Sequence, residues 1–129
     1  MKANITLTIS DGAHRGAEYR LENRETFVIG RDYDCDLRLP NYAEFRTVSR
    51  RHCLLGVTTT SIWLRDLGSR NGTYLNGKQI DTAEFWSFSD DQLLRSCADY
   101  ELKDGDEFVL GSVAFRARIH APLEEVTEE

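Results

Sequence analysis

The stretch Asn4-Ile5-Thr6-Leu7-Thr8-Ile9-Ser10, followed by Asp11-Gly12, decides the fold of this chain. Its apolar residues fall at every second position, so an extended backbone carries Ile5, Leu7 and Ile9 on one face and the threonines on the other. That is the pattern of a half-buried β-strand closed by a turn. The same period recurs along the chain. Tyr19 and Leu21 suggest a second strand, and Phe27 and Ile29 a third that stops at Gly30. Cys35, Leu37 and Leu39 alternate up to Pro40, then Cys53, Leu55 and Val57, followed by Ile62 and Leu64. Val113, Phe115, Ala117 and Ile119 form the last clear strand. Asn71-Gly72, Asn76-Gly77 and Asp104-Gly105 bracket further short strands, because asparagine, aspartate and glycine tolerate the positive φ of tight turns. Many short half-buried strands need a second apolar face to cover them. The expected architecture is therefore an all-β sandwich of two antiparallel sheets.

One stretch breaks the alternation. Within 81–99, Ser89-Asp90-Asp91-Gln92 reads as a capping box opening a short helix that contains Leu93 and Leu94, and we expect a helical insertion between two strands. The segment after Pro122 is too acidic and too poor in apolar residues to fold alone. The expected organisation is one domain over 1–121, carrying the 81–99 insertion, and a flexible acidic tail over 122–129.

With 129 residues the chain can bury a core without disulfide or metal staples. Cys35, Cys53 and Cys97 form no C-x-x-C pair, and an odd number argues against a disulfide framework, so a reducing compartment is expected. No apolar run resembles a signal peptide or membrane span, which suggests a cytoplasmic protein with no membrane partner. The net charge of −6 argues against a nucleic-acid partner. Its distribution is uneven. Residues 31–78 hold eight basic and five acidic side chains, a local +3, while the rest of the chain carries −9.

Three pieces of that basic segment place glycine, arginine, hydroxyl and amide groups beside strand ends: Gly30-Arg31, Ser49-Arg50-Arg51-His52 and Ser69-Arg70-Asn71-Gly72-Thr73. Turns of this composition can aim several donors at one anion, and a phosphate is the obvious candidate. Competing chemistries fit less well. Ser49, His52 and Asp66 supply the residue types of a hydrolytic triad, but Ser49 lacks the flanking glycines of a nucleophile elbow, so no enzyme is expected. Asp32-x-Asp34-x-Asp36 imitates the start of a calcium loop, yet Leu37 and Ala43 stand where glycine and glutamate are required. His14, His52, His120 and the cysteines lack zinc spacing, and no metal or cofactor is expected.

Taken together, Gly30-Arg31, Asp36-Leu37-Arg38-Leu39, Val48-Ser49-Arg50-Arg51-His52, Asp66-Leu67-Gly68-Ser69-Arg70-Asn71-Gly72-Thr73, Asn76-Gly77 and Leu102-Lys103-Asp104-Gly105-Asp106 resemble the forkhead-associated (FHA) family in order and spacing. The resemblance covers most of the chain. It implies a β-sandwich of about eleven short strands whose loops recognise phosphothreonine in partner proteins. By the same resemblance Arg31 and Ser49 bind the phosphate, and Arg50 adds a second cationic contact. Asn71 binds main-chain groups of the peptide, while His52 is structural and supports the loop of Ser49. Gly30 and Gly72 serve the backbone. Arg70 stands where the family often has a smaller residue, so its long cation can reach the phosphate or the peptide. Arg46 and Thr47 lie in the loop that tends to choose the third residue after the phosphothreonine. An inward Arg46 would favour an acidic residue there.

The function this implies is phosphothreonine-dependent capture of a partner protein in signalling, by a monomer. The alternative is a phosphate-independent scaffolding domain, known in some family members; the joint presence of Arg31, Ser49 and Asn71 favours the phosphate-dependent mode. Threonine selectivity would rest on a small cavity for the methyl group, whose burial is worth roughly 0.8 kcal/mol. Phe85, Trp86 and Phe88 in the insertion either anchor it on the sandwich or form a second partner surface. Thr127, once phosphorylated, is a candidate for capture by the domain's own site.

Overall fold

The computed structural model describes residues 4–58, 61–80 and 99–120. Eleven strands occur among them: β1 Asn4–Ile9, β2 Glu18–Leu21, β3 Thr26–Gly30, β4 Leu37–Arg38, β5 Cys53–Val57, β6 Ile62–Asp66, β7 Thr73–Leu75, β8 Lys78–Gln79, β9 Tyr100–Glu101, β10 Glu107–Leu110 and β11 Val113–His120. A 3₁₀ turn spans Ala43–Phe45. The expected helix and the aromatic trio Phe85, Trp86 and Phe88 fall outside the described residues, as does the 122–129 tail. Among the described residues no helix is long and apolar enough to cross a membrane.

The strands form two sheets, one in the order β2-β1-β11-β10-β7-β8 and the other β4-β3-β5-β6-β9. Pairing is antiparallel except between β3 and β4, which run parallel with Ile29 opposite Leu37 and Gly30 opposite Arg38. The alternation read from the sequence becomes a division of faces. In β1, Ile5, Leu7 and Ile9 are buried while Thr6 and Thr8 are only partly covered. Cys35, Leu37 and Leu39 all point inward although only Leu37 and Arg38 are strand residues.

Apolar residues of both inner faces fill the space between the sheets, with Phe108 and Phe115 stacked 5.3 Å apart at its centre. Each fully buried side chain of this kind stabilises the fold by roughly 1.5–3 kcal/mol. On the outer face the Trp63 ring lies across its cross-strand neighbour Gly56, where an added Cβ would stand 2.0 Å from the indole. The aromatic ring thus covers backbone that glycine leaves bare.

Strand directions decide where the loops meet. β5 starts and β6 ends side by side, with Cys53 opposite Asp66, and Leu110 of β10 sits beside Thr73 of β7 and Val113 of β11. The segments 39–52 and 67–72 and the turn at 111–112 therefore gather at one end of the sandwich. The rigid sheets hold these irregular segments in place, the usual arrangement for a loop-built site.

Candidate functional site

The site begins at the end of β3, where the backbone passes close beneath the loop of Ser49 and Arg50. A Cβ at Gly30 would lie 2.1 Å from the Arg50 carbonyl oxygen and 2.9 Å from that of Ser49. Only glycine permits this approach. It lets the backbone N–H groups of Arg31 and Asp32 donate to the carbonyls of Ser49 and Arg50 at 3.2 and 3.0 Å.

His52 supports the same loop from inside. It is fully buried, and its Nδ1 accepts the backbone N–H of Ser49 at 3.0 Å. An accepting Nδ1 places the ring proton on Nε2, which donates to the Gly72 carbonyl at 2.9 Å. The ring is therefore neutral and ties two loops together. Burial lowers its pKa, partly offset by the Gly72 carbonyl and by Asp66. Its hydrogen bonds go to backbone groups and not to Ser49 Oγ.

Ser49 Oγ instead accepts the backbone N–H of Arg70 at 3.0 Å. The hydroxyl proton is left to donate outward. Asn71 donates from Nδ2 to the Thr47 carbonyl at 2.9 Å, which leaves its second N–H and its Oδ1 without a partner among the described residues. Thr47 is clamped in turn, since its Oγ1 accepts the Ser112 N–H at 2.9 Å and shares a hydrogen bond with Ser112 Oγ.

A buried carboxylate organises the loop that carries Arg70 and Asn71. Asp66 accepts the N–H groups of Gly68 and Ser69 on Oδ2, and the hydroxyls of Ser69 and Thr73 on Oδ1 at 2.6 Å each. Ser69 Oγ then accepts the Gly72 N–H at 3.0 Å. Gly72 adopts φ of 89°, the left-handed region that this tight loop requires.

Arg31 is half-buried and fixed. Its Nε donates to the Val48 carbonyl at 2.5 Å and its Nη1 to Asn41 Oδ1 at 3.1 Å, so the remaining edge of the guanidinium has no partner among the described residues. It lines an open depression of about 400 Å³ with Asp32, Tyr33, Arg38, Asn41 and Arg50. The side chains of Arg46, Arg50 and Arg70 are exposed, without hydrogen bond or ion pair among the described residues. The structure thus brings Arg31, Ser49, Arg50, Arg70, Asn71 and Thr47 to one end of the sandwich, and the exposed Arg46 follows the 3₁₀ turn in the same 39–52 segment.

The sequence reading missed two contributors: Asn41, which fixes Arg31, and Asp66 as the organiser of the 67–72 loop; it also did not single out Arg38, which lies beside this site in the same depression. A carboxylate that ends a strand, with hydroxyls three and seven residues later, is a signal that could have found the last. The acidic run 32–36 is used structurally. Arg51 pairs with Asp32 and Asp34, and Asp36 binds Arg24 and the Val28 N–H. Cys35 and Cys53 are free and buried, and burial pushes both thiols up from their ordinary range. The Cys35 thiol donates to the Arg50 carbonyl at 3.1 Å.

The chain is similar to known proteins over most of its length. FhaA of Mycobacterium tuberculosis, described as an FHA domain-containing protein, is 30% identical over 117 residues; the match covers 91% of this chain but only 18% of FhaA. A solved structure described as concerning phosphothreonine-dependent FHA domain interactions is 30% identical, with a TM-score of 0.65, covering 91% of this chain and 97% of that one. The FHA domain of FhaA, solved in complex with the intracellular domain of Rv3910, is also 30% identical, with a TM-score of 0.63, covering 88% of this chain and 99% of that one. The FHA domain model itself matches residues 27–90. With overall fold and sequence in agreement, the chain belongs to the FHA domain family.

Proposed function

We propose that this domain captures phosphothreonine-containing segments of partner proteins at its loop end, reversibly and without turnover, as a cytoplasmic signalling module that acts as a monomer. The observation that carries the reading is the convergence of unspent donors on fixed supports. The free edge of Arg31, the hydroxyl proton of Ser49 and the remaining amide groups of Asn71 stand on one end of the sandwich. Each is held by a bond that uses only part of its capacity. A phosphate brings about −1.5 to −2 charges and several strong acceptors, which suits such a set. The solved FhaA domain is seen with a protein partner, and another FHA structure is tied to phosphothreonine dependence, which supports the same chemistry here. His52, with both nitrogens on backbone groups, is not arranged to activate Ser49, in keeping with binding alone.

The test is calorimetric titration with an oriented phosphothreonine peptide library, repeated with unphosphorylated and phosphoserine peptides. Charge-assisted hydrogen bonds are worth about 1.5–3 kcal/mol each, so Arg31→Ala is expected to weaken binding by about a hundredfold. Equal binding of phosphorylated and unphosphorylated peptides would overturn the reading in favour of a phosphate-independent scaffold.

A further inference from the structure

The depression beside the phosphate site holds more positive charge than one phosphate needs. Parallel pairing of β4 with β3 sets Arg38 opposite Gly30, and the burial of Leu37 and Leu39 on either side turns Arg38 outward. There it lines the same depression as Arg31 and Arg50. Arg38 Nε donates to the Arg31 carbonyl at 3.3 Å, which holds its stem, while its terminal nitrogens have no acceptor among the described residues. The Arg50 side chain also has none. The acidic residue lining the depression, Asp32, already faces Arg51. Three guanidinium groups sharing one depression repel one another, and that repulsion is relieved when anions fill it. On the reading above, Arg31, held by Val48 and Asn41, takes the phosphate. Arg38 and Arg50 remain.

Building on the phosphothreonine reading above, we propose that Arg38, with Arg50, forms a second anion subsite that selects partner segments carrying another anionic group, a carboxylate or a second phosphate, close to the phosphothreonine. The fork of Arg38 suits either oxyanion, since both offer paired acceptors. The exposed Tyr33 ring at the rim of the depression supplies a surface for the intervening peptide.

The test is a set of phosphothreonine peptides of one sequence with neutral flanks, with a single aspartate placed at each flanking position in turn, and with phosphoserine at the same positions. Each is titrated against the wild-type domain, Arg38→Gln, Arg38→Lys and, as a control of equal charge change at the far end of β11, Arg118→Gln. At one or more flanking positions the added anion is expected to tighten wild-type binding about tenfold, an advantage that Arg38→Gln abolishes and Arg118→Gln retains. Arg38→Gln should leave the neutral-flanked peptide within about twofold, and Arg38→Lys should keep part of the advantage. The aspartate and phosphoserine arms tell which anion is preferred. If Arg38→Gln weakens every phosphopeptide equally, or leaves the advantage intact, the subsite is refuted while phosphothreonine binding stands. If no phosphorylated peptide binds the folded wild-type domain, both readings fall.

Discussion

Arg31, Ser49 and Asn71 each divide their hydrogen-bonding capacity, one part holding the loop and the other unspent, free on the proposed reading for a ligand. That division explains why the supporting residues matter as much as the contacts. His52 must be neutral to accept the Ser49 N–H. Its pKa is lowered by burial, so at mildly acid pH the unfolded chain takes up a proton that the folded chain refuses. Unfolding stability is therefore fully present above about pH 6.5 and declines as pH falls toward the lowered folded value. Thermal melts of the unliganded domain should show this decline, and a His52→Gln variant should lose that part of the pH dependence. Gly30 makes a second prediction at this scale. Gly30→Ala pushes a methyl against the Ser49 and Arg50 carbonyls and should cost about 1–3 kcal/mol in denaturant unfolding, with weaker phosphopeptide binding. The sequence pointed to the residue types of this site because arginine, serine and asparagine beside turn glycines have few other uses together. It did not reveal Asn41 or Arg38, whose parts depend on the 39–52 loop folding back and on the two-residue parallel pairing of β4.

The loop between β6 and β7 is an element whose shape comes from one side chain. Asp66 satisfies two amides and two hydroxyls in a buried place. Asp66→Ala strands these donors and should cost about 3 kcal/mol or more. Asp66→Asn can keep its oxygen toward the amides while the Ser69 and Thr73 hydroxyls turn to accept, so a cost nearer about 1 kcal/mol is expected. Chemical denaturation of the pair checks this order, and a reversal would contradict the assigned role. Among strands, the long alternating runs were legible, since burial on one face imposes period two. β8 and β9 have two residues each and no room to show a period; they exist because neighbours pair with them, whereas the alternation of Cys35, Leu37 and Leu39 marked β4 although only Leu37–Arg38 pair as a strand. β10 escaped the reading although Phe108 and Leu110 alternate correctly, because it is short and lies against the Gly111 turn. Asn76-Gly77 does form a positive-φ turn, at 48° and 88°, as its chemistry requires.

At the scale of the molecule, the sandwich separates two tasks. Apolar residues between the sheets supply stability, while the loops at one end are free to carry unpaired donors within the basic 31–78 stretch. An anionic segment is drawn to that end, which favours productive encounter. The two-sheet architecture was legible because so many half-buried strands admit few other arrangements, and the joining of Gly30-Arg31 with the Ser49 and Asn71 segments was read from their composition; the part of the 111–112 turn, which binds Thr47 through Ser112, was not, since it follows from strand order. The central claim is that this end holds a phosphothreonine. It is tested most directly by nuclear magnetic resonance titration of the isotope-labelled domain with a phosphothreonine peptide and its unphosphorylated twin. The account predicts that only the phosphorylated peptide shifts the Arg31 Nε, the Asn71 side-chain amide and the Ser49 and Arg70 backbone amides, in one concerted transition. Equal shifts with both peptides, or phosphate-dependent shifts confined to residues away from these loops, would contradict it.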